Sequence, residues 1–189
     1  MKGKKVILRD EIRESDDKDL FRWLNMEEWN YYDEPDRPFT GITPEQFQVL
    51  LEKRQEYLKK ASNTSHRWQV DTTEGRHIGW VNYYQLDKKR KFVFVGICLP
   101  EEDVWGKGYG TEAVSLLVDH LFQETEMAEV RVSTWTGNRR MMRCAEKCGF
   151  KESERMPHRK EYSVRGEPLE RIVYSMSRVS WAARRGKDE

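Results

Sequence analysis

The stretch that decides the fold is glycine-rich and reads Val104-Trp105-Gly106-Lys107-Gly108-Tyr109-Gly110-Thr111-Glu112-Ala113. An apolar run precedes it at residues 92–99, and an amphipathic run follows it at residues 113–121. These patterns predict a buried strand, a turn and a helix. Glycine allows close backbone approach and positive φ, and the first turn of a helix has free N–H groups at its positive end. The stretch therefore predicts an anion site of the kind that holds phosphate.

The spacing of these glycines excludes two common phosphate-binding motifs. No Lys-Ser or Lys-Thr follows the last glycine, so the stretch is not a P-loop. The glycines run G-x-G-x-G, which differs from the G-x-G-x-x-G of dinucleotide-binding folds. A plain glycine turn between a strand and a helix is the alternative when the stretch is taken alone.

Length, net charge, apolar runs and cysteine content limit the kinds of protein and partner that the sequence can represent. The 189 residues suit one domain, and 34 Lys and Arg against 33 Asp and Glu give a formal net charge of +1. This balance gives no reason to expect a nucleic acid or a membrane surface as partner. No apolar run approaches the roughly 18 residues of a membrane span, and the N-terminus does not resemble a signal peptide. Three cysteines without metal-ligand spacing predict a cytoplasmic protein without a metal site.

The remaining chain predicts elements in the order β-α-α-β-β-β-α-β-α-β-β. A capping box, Thr43-Pro44-Glu45-Gln46, starts a long helix, and a loop is expected at residues 63–65. Gly149 followed by Phe150 predicts a left-handed helix stop after the helix that Asn138 begins. Strands are expected at residues 151–156 and 171–177, with a turn region between them. No repeat or domain boundary is visible.

Two of these features together resemble the GNAT acetyltransferases. The glycine stretch resembles their pyrophosphate loop, [Q/R]-x-x-G-x-G/A, with Trp105 where Gln or Arg is usual. That Trp, with Thr-Glu-Ala after the loop, resembles the branch of the ribosomal-protein-alanine N-acetyltransferases. The second feature is Asn138 followed by residues 146–150, Glu-Lys-Cys-Gly-Phe, which resembles the family pattern N…EK-x-GF.

The resemblance covers about residues 4–179 and implies an α+β fold in one GNAT-like domain. Its central sheet would be mixed and mostly antiparallel, with about seven twisted strands flanked by about four helices. Residues 180–189 would form a charged, frayed tail. The protein would be a monomer or a homodimer.

The resemblance also implies acetyl-CoA as the donor and no metal. The strand before the loop would pair with the pantetheine arm, the loop amides would hold the pyrophosphate, and Asn138 would bond to the arm. For Arg143, as for Arg139 and Lys107, a contact with the adenosine phosphates competes with an ordinary solvated helix charge. The predicted cofactor-binding residues are Ile97, Cys98, Leu99, Trp105, Gly106, Lys107, Gly108, Tyr109, Gly110, Thr111, Asn138 and Arg143.

Two usual catalytic groups of the family are missing from this chain. Ala145 stands where many members have a Tyr that protonates the thiolate, and Phe94 stands where many have a Glu that orders a water. Glu161, in the expected last hairpin, is the candidate base, with Tyr162 beside it. An exposed hairpin carboxylate is the alternative for Glu161.

The acceptor side is predicted from an aromatic and acidic segment at residues 27–39. Rigid apolar surface with carboxylates suits a cationic amine. A surface loop pinned by buried aromatics is the alternative. The predicted substrate-binding residues are Trp29, Tyr31, Asp33, Glu34 and, from a strand, Tyr84.

The predicted function is transfer of an acetyl group from acetyl-CoA to a primary amine by direct attack. The acceptor would be a protein N-terminus or a small molecule, and the acidic segment favours a cationic one. The alternative is a non-catalytic acetyl-CoA-binding sensor or interaction module, because both usual catalytic groups are absent.

Overall fold

The structure, a computed structural model, describes residues 1–59 and 66–188. The loop predicted at residues 63–65 lies outside the described residues. The strands are β1 Val6–Arg9, β2 His66–Thr72, β3 His77–Asp87, β4 Phe92–Cys98, β5 Glu129–Trp135, β6 Lys151–Tyr162 and β7 Pro168–Ser177. The helices are α1 Glu14–Trp23, α2 Glu27–Asp33, α3 Pro44–Lys59, α4 Tyr109–Glu124, α5 Arg139–Cys148 and α6 Arg178–Asp188, with a 3-10 turn at Glu102–Val104.

All seven strands form one sheet in the order β1-β2-β3-β4-β5-β7-β6. Neighbouring strands are antiparallel except β4 and β5, which are parallel. The predicted fold class, a mixed and mostly antiparallel sheet of about seven strands, is confirmed. The number of helices is not: the described residues hold six α-helices where about four were expected.

Helices cover the sheet on both faces. Val81 of β3 and Val93 of β4 are fully buried in the core cluster that also contains Leu117 of α4 and Ala145 of α5. Neighbouring residues on a strand point to opposite faces, so Trp80 lies on the other side. There its ring contacts Trp23 of α1 and Trp29, which belongs to α2.

Strands β4 and β5 separate partway along the sheet. Their parallel pairing runs from Phe92 opposite Glu129 to Val95 opposite Val132 and then ends. Beyond that point β4 stays paired only with β3, as far as Cys98. Strand β5 stays paired with β7 as far as Trp135. The inner edge of β4 at residues 96–98 therefore has no pairing to β5, and a gap opens within the sheet.

Two local helix signals in the sequence act as predicted. The backbone N–H of Gln46 donates to Thr43 Oγ1 at 3.3 Å, and that of Thr43 donates to Gln46 Oε1 at 2.9 Å. At the end of α5, Gly149 has φ of +92°, and the N–H of Phe150 donates to the Ala145 carbonyl at 3.0 Å. Local hydrogen bonds thus fix both helix ends.

Two predictions about irregular chain were wrong. Residues 27–33, expected to be irregular, form α2, because Pro35 and Pro38 lie after the helix rather than inside it. The tail expected to fray forms α6. Trp181 docks this helix: its indole N–H donates to Asp119 at 2.6 Å, and its ring lies 5.2 Å from that of Phe122.

A buried ionic cluster joins the first strand to its neighbours. The guanidinium of Arg9 makes two hydrogen bonds to Asp16 and two to Asp71, at 2.9–3.0 Å. The exposed fraction is 8% for Arg9, 3% for Asp16 and 4% for Asp71. The cluster therefore fixes α1 against β1 and β2 on the sheet. Within the described residues, no helix has the length and apolar character that crossing a membrane requires.

Candidate functional site

A cleft opens where β4 and β5 separate, and it has two connected parts. We call the part next to the glycine stretch the loop compartment, of about 390 Å³. The part over the sheet is the sheet compartment, of about 490 Å³. Residues shared by both parts show that the cleft is continuous: they are Tyr32, Asp33, Ile97, Cys98, Asn138 and Met141.

The backbone of the glycine stretch turns back on itself beside the loop compartment. Gly106 has φ of +74° and Gly108 has φ of +88°, a region that side-chain-bearing residues rarely adopt. Gly108 is the N-cap of α4, and no side chain within residues 1–59 and 66–188 bonds to the first-turn amides of this helix. These N–H groups have no partner inside the helix, so they remain available to an anion.

Three contacts hold the glycine stretch in place. The indole N–H of Trp105 donates to the Leu99 carbonyl at 2.6 Å, which closes the turn on the end of β4. The ammonium of Lys5 donates to the Lys107 carbonyl at 2.8 Å. The carboxylate of Glu112 accepts the backbone N–H groups of residues 4, 5 and 6. The first turn of α4 is thus tied to the start of β1.

Helix α5 supplies the positive charge of the loop compartment. Arg140, Arg143 and Lys147 all line it. The guanidinium of Arg140 lies 3.6 Å from the ring centroid of Trp105 and 4.1 Å from that of Tyr32, which orients it by cation–π contact. Asn138 caps the same helix: its Oδ1 accepts the Met141 N–H at 3.1 Å, and its Nδ2 donates to the Tyr32 carbonyl at 3.4 Å. The amide oxygen and the amide nitrogen of Asn138 are therefore both hydrogen-bonded within the protein.

The sheet compartment is polar and carries charges of both signs. Asp33 of α2 faces it together with Arg67 of β2, Tyr84 of β3 and Arg171 of β7. Desolvation by the cleft walls raises the pKa of Asp33, and the Glu34 carboxylate raises it further, while Arg67 opposes the rise. Desolvation also lowers the pKa of Arg67 and raises that of Tyr84. Asp33 and Arg67 are nevertheless exposed to solvent, so this desolvation is partial.

Cys98 is shared by the two compartments, and its thiol is protonated near neutral pH. Burial raises its pKa, and the charge of Asp33 adds to the rise. A thiolate is the nucleophilic form of cysteine. Cys98 therefore lines the cleft as a neutral thiol rather than as a thiolate nucleophile. Among the described residues, no group of three His, Cys, Asp or Glu side chains is arranged to hold a metal ion.

Most predicted cofactor-binding residues line the loop compartment. The exceptions are Lys107, whose side chain is exposed, and Tyr109, which packs against the hydrophobic core because α4 already begins there. The predicted residues that do line it are Ile97, Cys98, Leu99, Trp105, Gly106, Gly108, Gly110, Thr111, Asn138 and Arg143.

The predicted acceptor residues divide into two groups. Trp29 and Asp33 line the loop compartment, and Asp33 and Tyr84 line the sheet compartment. Tyr31 lines neither: it is buried, and its hydroxyl bonds to Ser163 at 3.0 Å and to Glu167. Glu34 lines neither and pairs with Arg37 at 2.9 Å.

The predicted catalytic pair does not reach the cleft. Glu161 and Tyr162 line neither compartment, and Tyr162 is 59% exposed. The expected turn at residues 158–168 is in fact short, because β6 continues to Tyr162 and β7 begins at Pro168. This extension places both residues at the exposed end of the last hairpin.

Several cleft residues are missed by the sequence patterns. Tyr32 and Arg140 could have been found from the sequence, since Tyr32 lies in the aromatic segment and Arg140 in the helix predicted after Asn138. The strand residues could not, because only the strand registers bring them together across the sheet. The missed lining residues include Tyr32, Arg67, Trp80, Arg140, His158 and Arg171.

Comparison with known proteins agrees with this geometry. The family model "Acetyltransferase (GNAT) domain" matches residues 5–151. The probable N-acetyltransferase YjcK of Bacillus subtilis (strain 168) is 30% identical over 138 residues, which span 72% of this chain and 70% of YjcK.

Solved structures match nearly the whole chain. One is spermidine N-acetyltransferase from Vibrio cholerae in complex with CoA and spermine, with a TM-score of 0.75 and 16% identity, covering 95% of this chain and 99% of that one. Another is the microcin C7 self immunity acetyltransferase MccE in complex with acetyl-CoA and AMP, with a TM-score of 0.73 and 15% identity over 93% of each chain. The family model, the sequence relative and the fold agree, and this chain belongs to the GNAT family of acetyltransferases.

Proposed function

We propose that this protein transfers the acetyl group of acetyl-CoA to the primary amine of a small molecule, by direct attack. The observation that carries the proposal is the continuity of the cleft. A glycine turn with free helix amides opens into a charged compartment at the point where β4 and β5 separate. A donor and an acceptor bound in the two compartments would meet at the shared residues.

The loop compartment suits the donor. The uncapped first turn of α4 can bind a pyrophosphate, and Arg143, which has no ion pair among the described residues, can meet a further phosphate. The unpaired edge of β4 at residues 96–98 offers backbone N–H and C=O groups to the amides of an extended arm. CoA or acetyl-CoA is bound in the two solved structures named above, which supports the same donor here.

Asp33 is the group best placed to act as base. An alkyl ammonium has a pKa of about 10.4 and must lose a proton before it can attack a thioester. Asp33 lies where the compartments meet, and its raised pKa makes its carboxylate a stronger proton acceptor than an ordinary one. The two positions where many family members have a catalytic Tyr or Glu hold packing residues in this chain. Ala145 is fully buried, and the ring of Phe94 stacks on that of Tyr84 with 5.6 Å between the centroids.

The volume of the sheet compartment favours a small acceptor over a protein N-terminus. About 490 Å³ lies within the range of small-molecule sites. The Vibrio cholerae structure was solved with spermine, so an amine acceptor has precedent in this fold.

A thiol-release assay tests the proposal. The protein is incubated with acetyl-CoA and a panel of primary amines, and free CoA is measured with a thiol reagent. We expect turnover with at least one amine and no release without an amine. Tight calorimetric binding of acetyl-CoA with no transfer to any amine would instead support the non-catalytic binding module.

Substitution of Gly110 tests the donor site. A Cβ at Gly110 would lie 3.6 Å from Ile97 and Leu99, both on the wall of the loop compartment, so a side chain there enters the compartment. We expect Gly110→Asp to weaken acetyl-CoA binding about 100-fold, because a carboxylate beside the helix amides repels the pyrophosphate and about 3 kcal/mol of charge-assisted hydrogen bonding is lost. Calorimetry measures this affinity.

The matched control is Gly110→Ala. Its methyl group makes an ordinary van der Waals contact and no backbone strain, since the φ of Gly110 is not positive. It should bind acetyl-CoA within about threefold of the wild type, a difference below 1 kcal/mol. Equal affinities of the two variants, both folded by circular dichroism, would show that the donor lies elsewhere. Gly108 is less suitable, because Lys5 lies 3.2 Å from its Cβ position and would neutralise a carboxylate.

A further inference from the structure

Three charged side chains in the sheet compartment lack an ionic partner. Asp33, Arg67 and Arg171 make no ion pair with any residue in the described ranges 1–59 and 66–188, although all three line the compartment. Asp33 and Arg67 remain exposed to solvent, and Arg171 is half-buried, so none of the three charges is sealed from water. Unpaired charged groups that converge on one cleft are typical of sites that bind ligands.

Both guanidinium groups are held in position by neighbours that leave most of their donors free. The guanidinium carbon of Arg67 lies 4.7 Å from the ring centroid of Trp80, a stacking contact that uses none of its N–H groups. Arg171 donates from Nε to Ser133 Oγ at 2.9 Å, which leaves its two terminal nitrogens available. A guanidinium fixed in this way is suited to bidentate binding of a carboxylate or phosphoryl group.

The balance of charge in the compartment also points to an anionic group. Among the described residues, Arg67 and Arg171 face the compartment against one carboxylate, that of Asp33, so these walls carry an excess of positive charge even with His158 neutral. A polyamine carries only positive charge and would meet one attractive group and two repulsive ones. A molecule with one ammonium and one oxyanion would satisfy all three side chains.

We propose that the acceptor is an amine that also carries an oxyanion, either a carboxylate or a phosphoryl group, held by Arg67 and Arg171 while its amine lies at Asp33. This inference rests on the proposed function and names the substrate class of the same cleft. It replaces the cationic acceptor that the acidic segment at residues 27–39 suggests. Arg67 and Arg171 would then set specificity, and Asp33 would receive the proton.

Matched pairs of amines test this inference. Amino acids are compared with their amides, and aminoalkyl phosphates with the corresponding amino alcohols, with spermidine as a polycation. Binding to the CoA-loaded protein is measured by calorimetry, and acetyl transfer by thiol release. We expect the best anionic probe to exceed its neutral partner by about 10- to 100-fold in affinity. A larger gain in affinity for the amino acids over their amides identifies a carboxylate as the oxyanion. A larger gain for the aminoalkyl phosphates over their amino alcohols identifies a phosphoryl group.

Arginine variants connect this preference to the two side chains. Arg67→Met and Arg171→Met should each reduce the preference for the anionic member of a pair about tenfold or more, while leaving acetyl-CoA affinity unchanged. Arg67→Lys should restore it only in part, because an ammonium lacks the planar fork. The control is Arg90→Met on the β3–β4 turn, whose side chain is 78% exposed and which should keep the wild-type preference.

The possible failures are distinguishable. Transfer to neutral amines or spermidine at rates equal to those of the anionic partners would overturn the inference and leave the proposed function intact. Absence of transfer to every amine would overturn the proposed function. In that case the calorimetric preference still decides the inference, and equal binding of anionic and neutral partners refutes it.

Discussion

We expect Asp33→Asn to lower the rate of acetyl transfer by about 10²- to 10⁴-fold, the usual contribution of a positioned general base. Asparagine keeps the shape of the side chain and cannot accept the proton of the acceptor ammonium. Acetyl-CoA binding should be nearly unchanged, since the amides that we propose for the pyrophosphate lie at the start of α4. The measurement is kcat at saturating donor and acceptor, with acetyl-CoA affinity from calorimetry as the companion value.

The pH profile distinguishes a base from a positioning residue. The pKa of Asp33 is raised above its ordinary 3.8, so the wild-type rate should fall as pH is lowered through that raised pKa. The residual rate of Asp33→Asn should lack this step. Glu27→Gln is the matched control on the same helix, because Glu27 lines neither compartment. Wild-type rates in Asp33→Asn would eliminate Asp33 as the base.

The same substitution should slightly stabilise the fold. A pKa raised by desolvation means that the folded state disfavours the charged form, so the stability that this group contributes is lost as pH rises through the folded pKa. At neutral pH, Asp33→Asn removes an unpaired charge and should raise Tm by up to about 2 °C, since the solvent-accessible group retains part of its hydration. The gain should fade as pH is lowered through the pKa of Asp33.

We expect Arg9→Met to reduce the free energy of unfolding by about 3–5 kcal/mol. The substitution removes the buried guanidinium shared by the carboxylates of Asp16 and Asp71, and leaves Asp71 with only the half-exposed Arg13 at 3.3 Å as an arginine partner among the described residues. Urea titration at neutral pH measures the loss. Arg155→Met is the control, because the guanidinium of Arg155 bridges Glu152 and Glu170 on the surface and such pairs contribute about 1 kcal/mol or less.

Acid titration gives a second test of the same cluster. Burial alone would raise the pKa of Asp16, but its hydrogen bonds with Arg9 and with the Arg13 backbone outweigh burial and lower the pKa. The resulting stability is present above the ordinary value of 3.8 and is lost as pH falls through the lowered pKa. Without Arg9, acid unfolding should begin at a higher pH. An Arg9→Met variant as stable as Arg155→Met would refute the role of the cluster.

The sequence predicted best the features that depend on neighbouring residues. The capping box at Thr43, the helix stop at Gly149 and the glycine turn before α4 each arise from backbone chemistry within a few residues. The loop compartment was largely predictable for the same reason, since residues 97–147 supply nearly all of its lining in one stretch of chain.

The sheet compartment could not be predicted in this way. Arg67 lies there because it pairs with Asn82, and Arg171 because it pairs with Trp135. The register of a strand depends on its pairing with the rest of the sheet. The alternation of side chains along one strand does not show which face of the sheet lines a cleft. Glu161 and Tyr162 were misplaced for a related reason, because the length of β6 follows from its pairing with β7. The docking of α6 through Trp181 likewise depends on tertiary contacts that outweigh a charged composition.

The gap between β4 and β5 separates a compartment lined mainly by one segment of chain from a compartment lined by several. The turn that we propose for the donor is encoded in one segment, and its positive φ values constrain the residues that can stand there. The side chains that we propose for the acceptor come from α2 and from several strands, outside the glycine turn. If the proposed function holds, point substitutions across the sheet would change which amine is accepted while the donor stays the same, so one lineage could acquire new substrates without redesigning its chemistry.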